Sequence, residues 1–284
     1  MKLYASATHK KMKFGLIGYP IAHSLSPALF KAGYDGRYPY ELIQTDDFEQ
    51  AYEIFLSDYD GINVTAPFKE LAFRKADILS EECSLVGATN LLVKTPEGIK
   101  AFNSDYLGVR LWLSEAYEGI KITLPTPLKA TVLITGLGGA GKAAAAAAHN
   151  LGFDLILMNR DISKAEAMAA RLDSNTDHSN RIEVRPLSEF ADSFKEADII
   201  IYNIPKAIPQ LDEISAHENG RAKHILEANY KDPSFNKELI DKLLSHSHDS
   251  SYTSGTTWLL YQAMTGYELF TGEKPDLTRM SAVI

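Results

Sequence analysis

Lys69 and Asp105 are the residues best suited to chemistry in this 284-residue sequence. A lysine can take a proton from an alcohol and return it to a ketone oxygen, and a neighbouring carboxylate holds the ammonium in place. That is the proton half of an alcohol–carbonyl interconversion, and a hydride must move with it. Three groups of hydroxyl and amide side chains accompany the pair: Ser24 with Ser26, Asn63 with Thr65, and Asn90. Hydroxyls and amides match a polyhydroxylated ligand. Serine hydroxyls beside the backbone N–H groups of a helix start match a carboxylate.

The hydride partner is signalled by Thr135-Gly136-Leu137-Gly138-Gly139-Ala140-Gly141-Lys142, which follows an apolar run and opens an alanine-rich segment. This is the strand–turn–helix context of a dinucleotide-binding loop. Gly136 permits the tight turn. Gly138 and Gly139 let backbone N–H groups approach a pyrophosphate, whose charge a helix start favours. After the next strand come Asn159 and Arg160, and Asn159 stands 23 positions beyond Gly136. Arginine suits the 2′-phosphate of NADP, where an NAD site places a carboxylate. Lys164, one helical turn on, adds charge. Asp161 reads either as the N-cap of the following helix or as a carboxylate that repels the phosphate. NADP is therefore expected, and NAD stays open.

These residues need elements to hold them. The polar groups lie at or just after the ends of predicted strands at Phe14–Gly18, Gly61–Thr65, Ala88–Val93 and Ile99–Asn103. In open α/β sheets, ligands bind outside the carboxyl ends of the strands. Tyr40–Ile43 is a further strand. Asp47–Leu56 and Lys69–Ala76 read as helices, and Pro27 suits the first turn of another with Ser26 as its N-cap. Near Pro125 and Pro127 the texture changes. A second unit begins at Ala130–Thr135, with later strands at Asp154–Met158, Asp198–Tyr202 and His224–Ala228. Thr256–Phe270 has the pattern of a long amphipathic helix. The stretches Asp173–Asn180 and Ser245–Ser251 read as surface loops, with His246 and His248 solvated rather than ligating a metal. The expected fold class is α/β, with an N-terminal, mostly parallel substrate domain and a Rossmann-like dinucleotide-binding domain.

Composition narrows the function. The net charge of −8, from 37 acidic and 29 basic side chains, disfavours a nucleic-acid partner. No apolar run is long enough to span a membrane. The single cysteine, Cys83, can form neither an internal disulfide nor a multi-thiolate zinc site. Met1–Lys11 is polar and reads as an extension outside the fold, not a secretory signal.

The order and spacing of these motifs resemble the shikimate dehydrogenase family from about Met12 to Gly272. The matching stretches are Gly18–Pro27, Gly61–Lys69, Gly87–Asn90, Asn103–Gly108 and the glycine loop. The resemblance implies reversible, NADP-linked reduction of 3-dehydroshikimate to shikimate, on the route to chorismate and the aromatic amino acids. It makes Lys69 and Asp105 the catalytic pair. It sets Ser24, Ser26 and Tyr230 at the substrate carboxylate, and Asn63, Thr65, Asn90 and Gln262 at the ring hydroxyls. On the cofactor side it implies Gly136, Gly138, Gly139 and Ala140 at the pyrophosphate, Asn159 and Arg160 at the 2′-phosphate, and Gly255. It divides the chain into a substrate domain at 12–112, completed by 256–284, and a cofactor domain at 113–255.

The sequence departs from the family at Ser104, where Thr is usual, and at Asp161, where Thr or Ser is common. It departs again at Asn203–Pro209 and Ser254–Trp258, which bear on the nicotinamide side. Three alternatives follow: a quinate/shikimate dehydrogenase using NAD or both cofactors, a non-catalytic ligand-sensing relative, and a Rossmann reductase for another small carbonyl compound. A cytoplasmic monomer or homodimer with a small-molecule substrate is expected, without nucleic-acid or membrane partners.

Overall fold

The structure, a computed structural model, describes residues 12–123, 130–175, 180–214, 222–245 and 247–284. The expectations for Met1–Lys11, for Pro125 and Pro127 and for His246 lie outside these residues.

Short apolar runs alternate with amphipathic stretches, and the chain folds them into two sheets with helices on their faces. The first half runs through β1 (Phe14–Gly18), α1 (Ser26–Gly33), β2 (Tyr40–Gln44), α2 (Phe48–Asp58), β3 (Gly61–Val64) and α3 (Lys69–Lys75). It continues with β4 (Ile78–Leu79), α4 (Glu81–Val86), β5 (Leu91–Thr95) and β6 (Gly98–Phe102). Its sheet has the order β2-β1-β3-β5-β6-β4. Pairings of β1 with β2 and β3 are parallel, whereas β5 runs antiparallel to β3 and β6. Strands β1 and β3 are buried along their whole length, which suits their mainly apolar character, broken in β3 by Asn63.

The second half contains β7 (Thr131–Thr135), α6 (Gly139–Asn150), β8 (Asp154–Met158), α7 (Ile162–Asn175), β9 (Ile182–Arg185) and α8 (Phe190–Glu196). After these come β10 (Ile199–Tyr202), β11 (His224–Glu227), α9 (Lys237–Ser245) and β12 (Ser251–Ser254). All five pairings of its sheet, β12-β11-β10-β7-β8-β9, are parallel. The strand order reverses between β7 and β10, the place where doubly wound sheets bind ligands.

Two helices join the halves. The first, α5 (Ser104–Thr123), runs unbroken through positions 112 and 113. The second, α10 (Gly255–Thr271), leaves β12, returns to the first sheet and is followed by α11 (Leu277–Ser281). Where α5 and α10 cross, a Cβ at Gly108 would sit 2.6 Å from the backbone nitrogen of Gln262. Glycine at that point lets the two helices come close enough for α10 to carry Gln262 to the first sheet.

Some local expectations change. Ser26 is the first residue of α1, not its cap; Leu25 holds the cap position, and the Ser26 N–H donates to the Ser24 hydroxyl at 3.2 Å. Asp173–Asn175, expected in a loop, belong to α7, and 176–179 of that stretch lie outside the described residues. Ser251 belongs to β12 rather than to a loop.

Candidate active site

The turns after β1 and β3 form one wall of a cleft. They are tied together by the Tyr19 N–H, which donates to the Ala66 carbonyl at 3.1 Å. Gln44, at the end of β2, accepts from the N–H groups of Ile21 and Ala22 at 2.8 Å each. This fixes the loop that leads to Ser24 and Ser26, whose hydroxyls lie 3.1 Å apart with Ser24 donating. The Tyr267 hydroxyl, from α10, donates to the Ser26 carbonyl at 3.1 Å.

Asn63 closes β3. Its Oδ1 accepts from the Tyr40 hydroxyl at 2.8 Å, and its Nδ2 donates to the Asn90 carbonyl at 3.3 Å. Asn90 accepts the Ser104 N–H at 2.7 Å and donates to the Ser104 hydroxyl at 3.0 Å. That hydroxyl donates in turn to Gln262 Oε1 at 3.1 Å. Ser104, fully buried, therefore couples an amide of the first sheet to an amide of the returning helix.

Lys69 opens α3 and Asp105 lies in the first turn of α5, and their side chains form an ion pair. They are 20% and 14% exposed, so water screens the pair less than a surface one. The Trp258 indole N–H donates to the Asp105 carbonyl at 2.9 Å and fixes the start of α5 against α10. Ser24, Ser26, Asn63, Thr65, Asn90, Tyr230 and Gln262 all face one cavity of about 300 Å³ with this pair. Ala140 of the glycine loop and Gly255 border the same cavity. At Gly255 a Cβ would collide with the Ala228 carbonyl, so the close approach of α10 to β11 requires glycine. Burial raises the Tyr230 hydroxyl above the ordinary tyrosine range, keeping it a donor.

The dinucleotide loop forms the opposing wall. Gly136 has φ of +79°, a conformation that favours glycine. Nothing lies within 4 Å of where a Cβ at Gly138 would stand, so the backbone there is open to a ligand. The Leu137 N–H donates to Asn159 Oδ1 at 2.9 Å, and Asn159 Nδ2 donates to the Asp161 carbonyl at 2.9 Å. Asn159 thus holds the loop in shape, while Arg160 is exposed beside it. The Asp161 carboxylate accepts from the Ser163 N–H at 3.2 Å and hydroxyl at 2.7 Å, as a helix cap does, and these bonds lower its pKa. A second cavity of about 290 Å³ extends from Leu137, Gly138 and Gly139 to Lys142, Lys164 and Arg171. An open glycine turn at a helix start, edged by cations, fits a phosphorylated dinucleotide.

The two walls meet at Lys69. Its Cδ lies 3.2 Å from where a Cβ at Gly139 would be. Beside it, Glu70 pairs with Lys142 of α6 at 2.9 Å, and that hydrogen bond lowers the Glu70 pKa. Sequence reasoning passed over Tyr40, which reads as an ordinary member of a strand, and Gln44, which lies just past that strand's predicted end but belongs to β2. Among the described residues, no cluster of three or more His, Cys, Asp or Glu is placed to hold a metal ion. Nor is any helix among them long and apolar enough to cross a membrane.

Comparison with known proteins agrees with the two-domain α/β architecture. The family model described as shikimate dehydrogenase substrate binding domain matches residues 16–92, and that described as shikimate / quinate 5-dehydrogenase matches 121–226. A shikimate dehydrogenase (NADP(+)) of Bacillus licheniformis is 28% identical over 286 residues, covering 95% of each chain. One of Acidiphilium cryptum is 37% identical over 161 residues, 55% of this chain and 56% of that protein. The crystal structure of Mycobacterium tuberculosis shikimate dehydrogenase superposes with a TM-score of 0.76 at 28% identity, over 96% of this chain and 98% of that one. The chain belongs to the shikimate dehydrogenase family.

Proposed function

We propose that the protein interconverts 3-dehydroshikimate and shikimate with NADP, as the names of its relatives indicate for them. The observation that carries this reading is the single cavity in which the Lys69–Asp105 pair faces hydroxyl and amide side chains from both ends of the chain. The bound dinucleotide supplies the hydride on reduction and accepts it on oxidation. Lys69 donates a proton to the ketone oxygen during reduction and recovers it from the alcohol during oxidation. Asp105 holds the Lys69 ammonium over the cavity. Ser24, Ser26 and Tyr230 hold the carboxylate, and Asn63, Thr65, Asn90 and Gln262 hold the ring hydroxyls.

Backbone N–H groups of Gly138, Gly139 and Ala140 would receive the pyrophosphate, with Gly255 on the nicotinamide side, whereas the Gly136 N–H donates to the Met158 carbonyl at 2.8 Å and Gly136 shapes the turn. Arg160 binds the 2′-phosphate, and Asn159 acts on it by shaping the loop. The commitment of Asp161 to capping supports NADP over NAD, since a capped carboxylate is turned from the phosphate. Substrate binding belongs to 12–112 with 256–284, and cofactor binding to 113–255. We assign the reaction to the cytoplasm and the active species to a monomer or homodimer.

The test is spectrophotometric: purified protein with shikimate, following formation of the reduced nicotinamide with NADP and with NAD. Shikimate-dependent reduction of NADP at the higher kcat/KM supports the reading. Faster turnover of quinate with NAD would replace it by the quinate reading, and binding without turnover by the sensor reading.

A further inference from the structure

Resting on the reading above, in which Asn63 contacts the substrate ring, we propose that Tyr40 is a positioning residue that, together with the Asn90 carbonyl, holds the Asn63 amide in the orientation the substrate meets. An amide side chain has an acceptor at one end and two donors at the other, with nearly the same shape. Its surroundings must choose between them. Here the Tyr40 hydroxyl donates to Asn63 Oδ1 at 2.8 Å. Asn63 Nδ2 gives one hydrogen to the Asn90 carbonyl at 3.3 Å. That carbonyl also accepts the Val64 N–H at 2.8 Å and has no hydrogen to offer. A flipped amide would set its oxygen against the Asn90 carbonyl, acceptor against acceptor, and Tyr40 then anchors the oxygen end that this carbonyl selects. The second Asn63 N–H is thereby left for the cavity, where the ligand must present an oxygen that accepts.

The Tyr40 ring is itself held by the aromatic core of the first half. Its centroid lies 4.7 Å from that of Phe30 and 6.0 Å from that of Tyr267. Burial pushes the Tyr40 hydroxyl well above the ordinary tyrosine pKa, so it stays a donor throughout the working pH range. Tyr267, its neighbour, donates to the Ser26 carbonyl. Two adjacent tyrosines, half-buried Tyr40 and buried Tyr267, therefore serve one cavity: Tyr40 holds the Asn63 amide in β3, and Tyr267 the Ser26 carbonyl at the start of α1.

Tyr40→Phe keeps the ring and removes the donor. The test measures shikimate binding to the cofactor-free protein by titration calorimetry, and kcat and KM in turnover, for Tyr40→Phe, Asn63→Ala and the double variant. Tyr40→Phe is expected to weaken shikimate binding and raise its KM about tenfold, the scale of one lost hydrogen bond. Its kcat should stay within about twofold and its KM for NADP should not change, because no group at the proton or hydride transfer is touched. Asn63→Ala should weaken binding at least as much, and the double variant no more than Asn63→Ala alone. Unchanged shikimate affinity in Tyr40→Phe, or additive losses in the double variant, would overturn the role of Tyr40. Unchanged affinity in Asn63→Ala would overturn the assignment of Asn63 itself, a result that does not depend on Tyr40.

Discussion

At the scale of single residues, Lys69 touches both halves of the chemistry. Its ammonium pairs with Asp105 in the substrate cavity while its stem lies against Gly139 of the dinucleotide loop. A group placed so serves proton transfer more than affinity. Lys69→Ala should lower kcat by about 10²–10⁴-fold, the usual worth of a general acid–base, with shikimate binding largely retained by the other polar groups. Steady-state rates and titration calorimetry check this, and near-wild-type kcat would remove Lys69 from the mechanism. Arg160 is exposed next to the loop, while Asp161 is occupied by Ser163. Arg160→Ala should raise KM for NADP by about tenfold or more, as loss of a charge-assisted contact does, with little change for NAD. Equal effects on both cofactors would show that Arg160 does not read the 2′-phosphate.

At the scale of elements, the site depends on how closely α10 can lie against α5. Glycines at the crossing allow it: Gly108 faces the backbone of Gln262, and a Cβ at Gly266 would lie 3.0 Å from the Ser104 hydroxyl. Gly108→Ala must push the helices apart, since its Cβ would meet backbone rather than a flexible side chain. Overpacking of this kind costs about 1–3 kcal/mol. Melting should fall accordingly, and KM for shikimate should rise as Gln262 withdraws, while KM for NADP holds. A lower melting temperature with unchanged KM for shikimate would show that Gln262 is not placed by this crossing.

The sequence makes some of these elements plain and hides others, for physical reasons. Strands β1, β7 and β8 are short, mainly apolar runs next to glycine or polar turns, as buried strands read, while β3 is buried but carries Asn63. The edge strands β9 and β12 are half-buried and carry charged or hydroxyl side chains, so no apolar run marks them. Helix α5 went unread because its start, Asn103–Asp105, reads as site chemistry rather than as a first turn. Ser24, Ser26, Asn63, Thr65 and Asn90, which line the cavity, were legible because hydroxyls and amides at strand ends stand out, whereas Tyr230 and Gln262 were reached only through the resemblance. Tyr40 was legible in neither way: its role arises from a neighbour, Asn63, that only strand pairing brings within reach.

At the scale of the whole molecule, the two halves share a core and should unfold together. One apolar cluster runs from Leu85 and Val86 through Val109 and Leu113 of α5 to the buried Ala143–Ala148 of α6, and takes in Trp258 of α10. Separating the halves would expose all of it. Acid offers a way to test that coupling, because it strikes one side first. His224 lies in β11, with its ring 2.8 Å from the Ser251 hydroxyl, and burial lowers its pKa although Asp249 and Asp198 act to raise it. In the unfolded chain it binds a proton near pH 6.5, where the folded chain resists. Stability from this group is therefore full above that pH, is lost as pH falls through the lowered folded value, and falls no further below both. The melting temperature should drop between pH 7.5 and the acid side of the histidine range, and His224→Gln should flatten that dependence. Calorimetry should show one transition moving as a unit, because stress on β11 passes through the shared core to the first sheet. Two transitions separating at low pH would show that the halves melt independently. An unaltered slope in His224→Gln would place the acid sensitivity in another group.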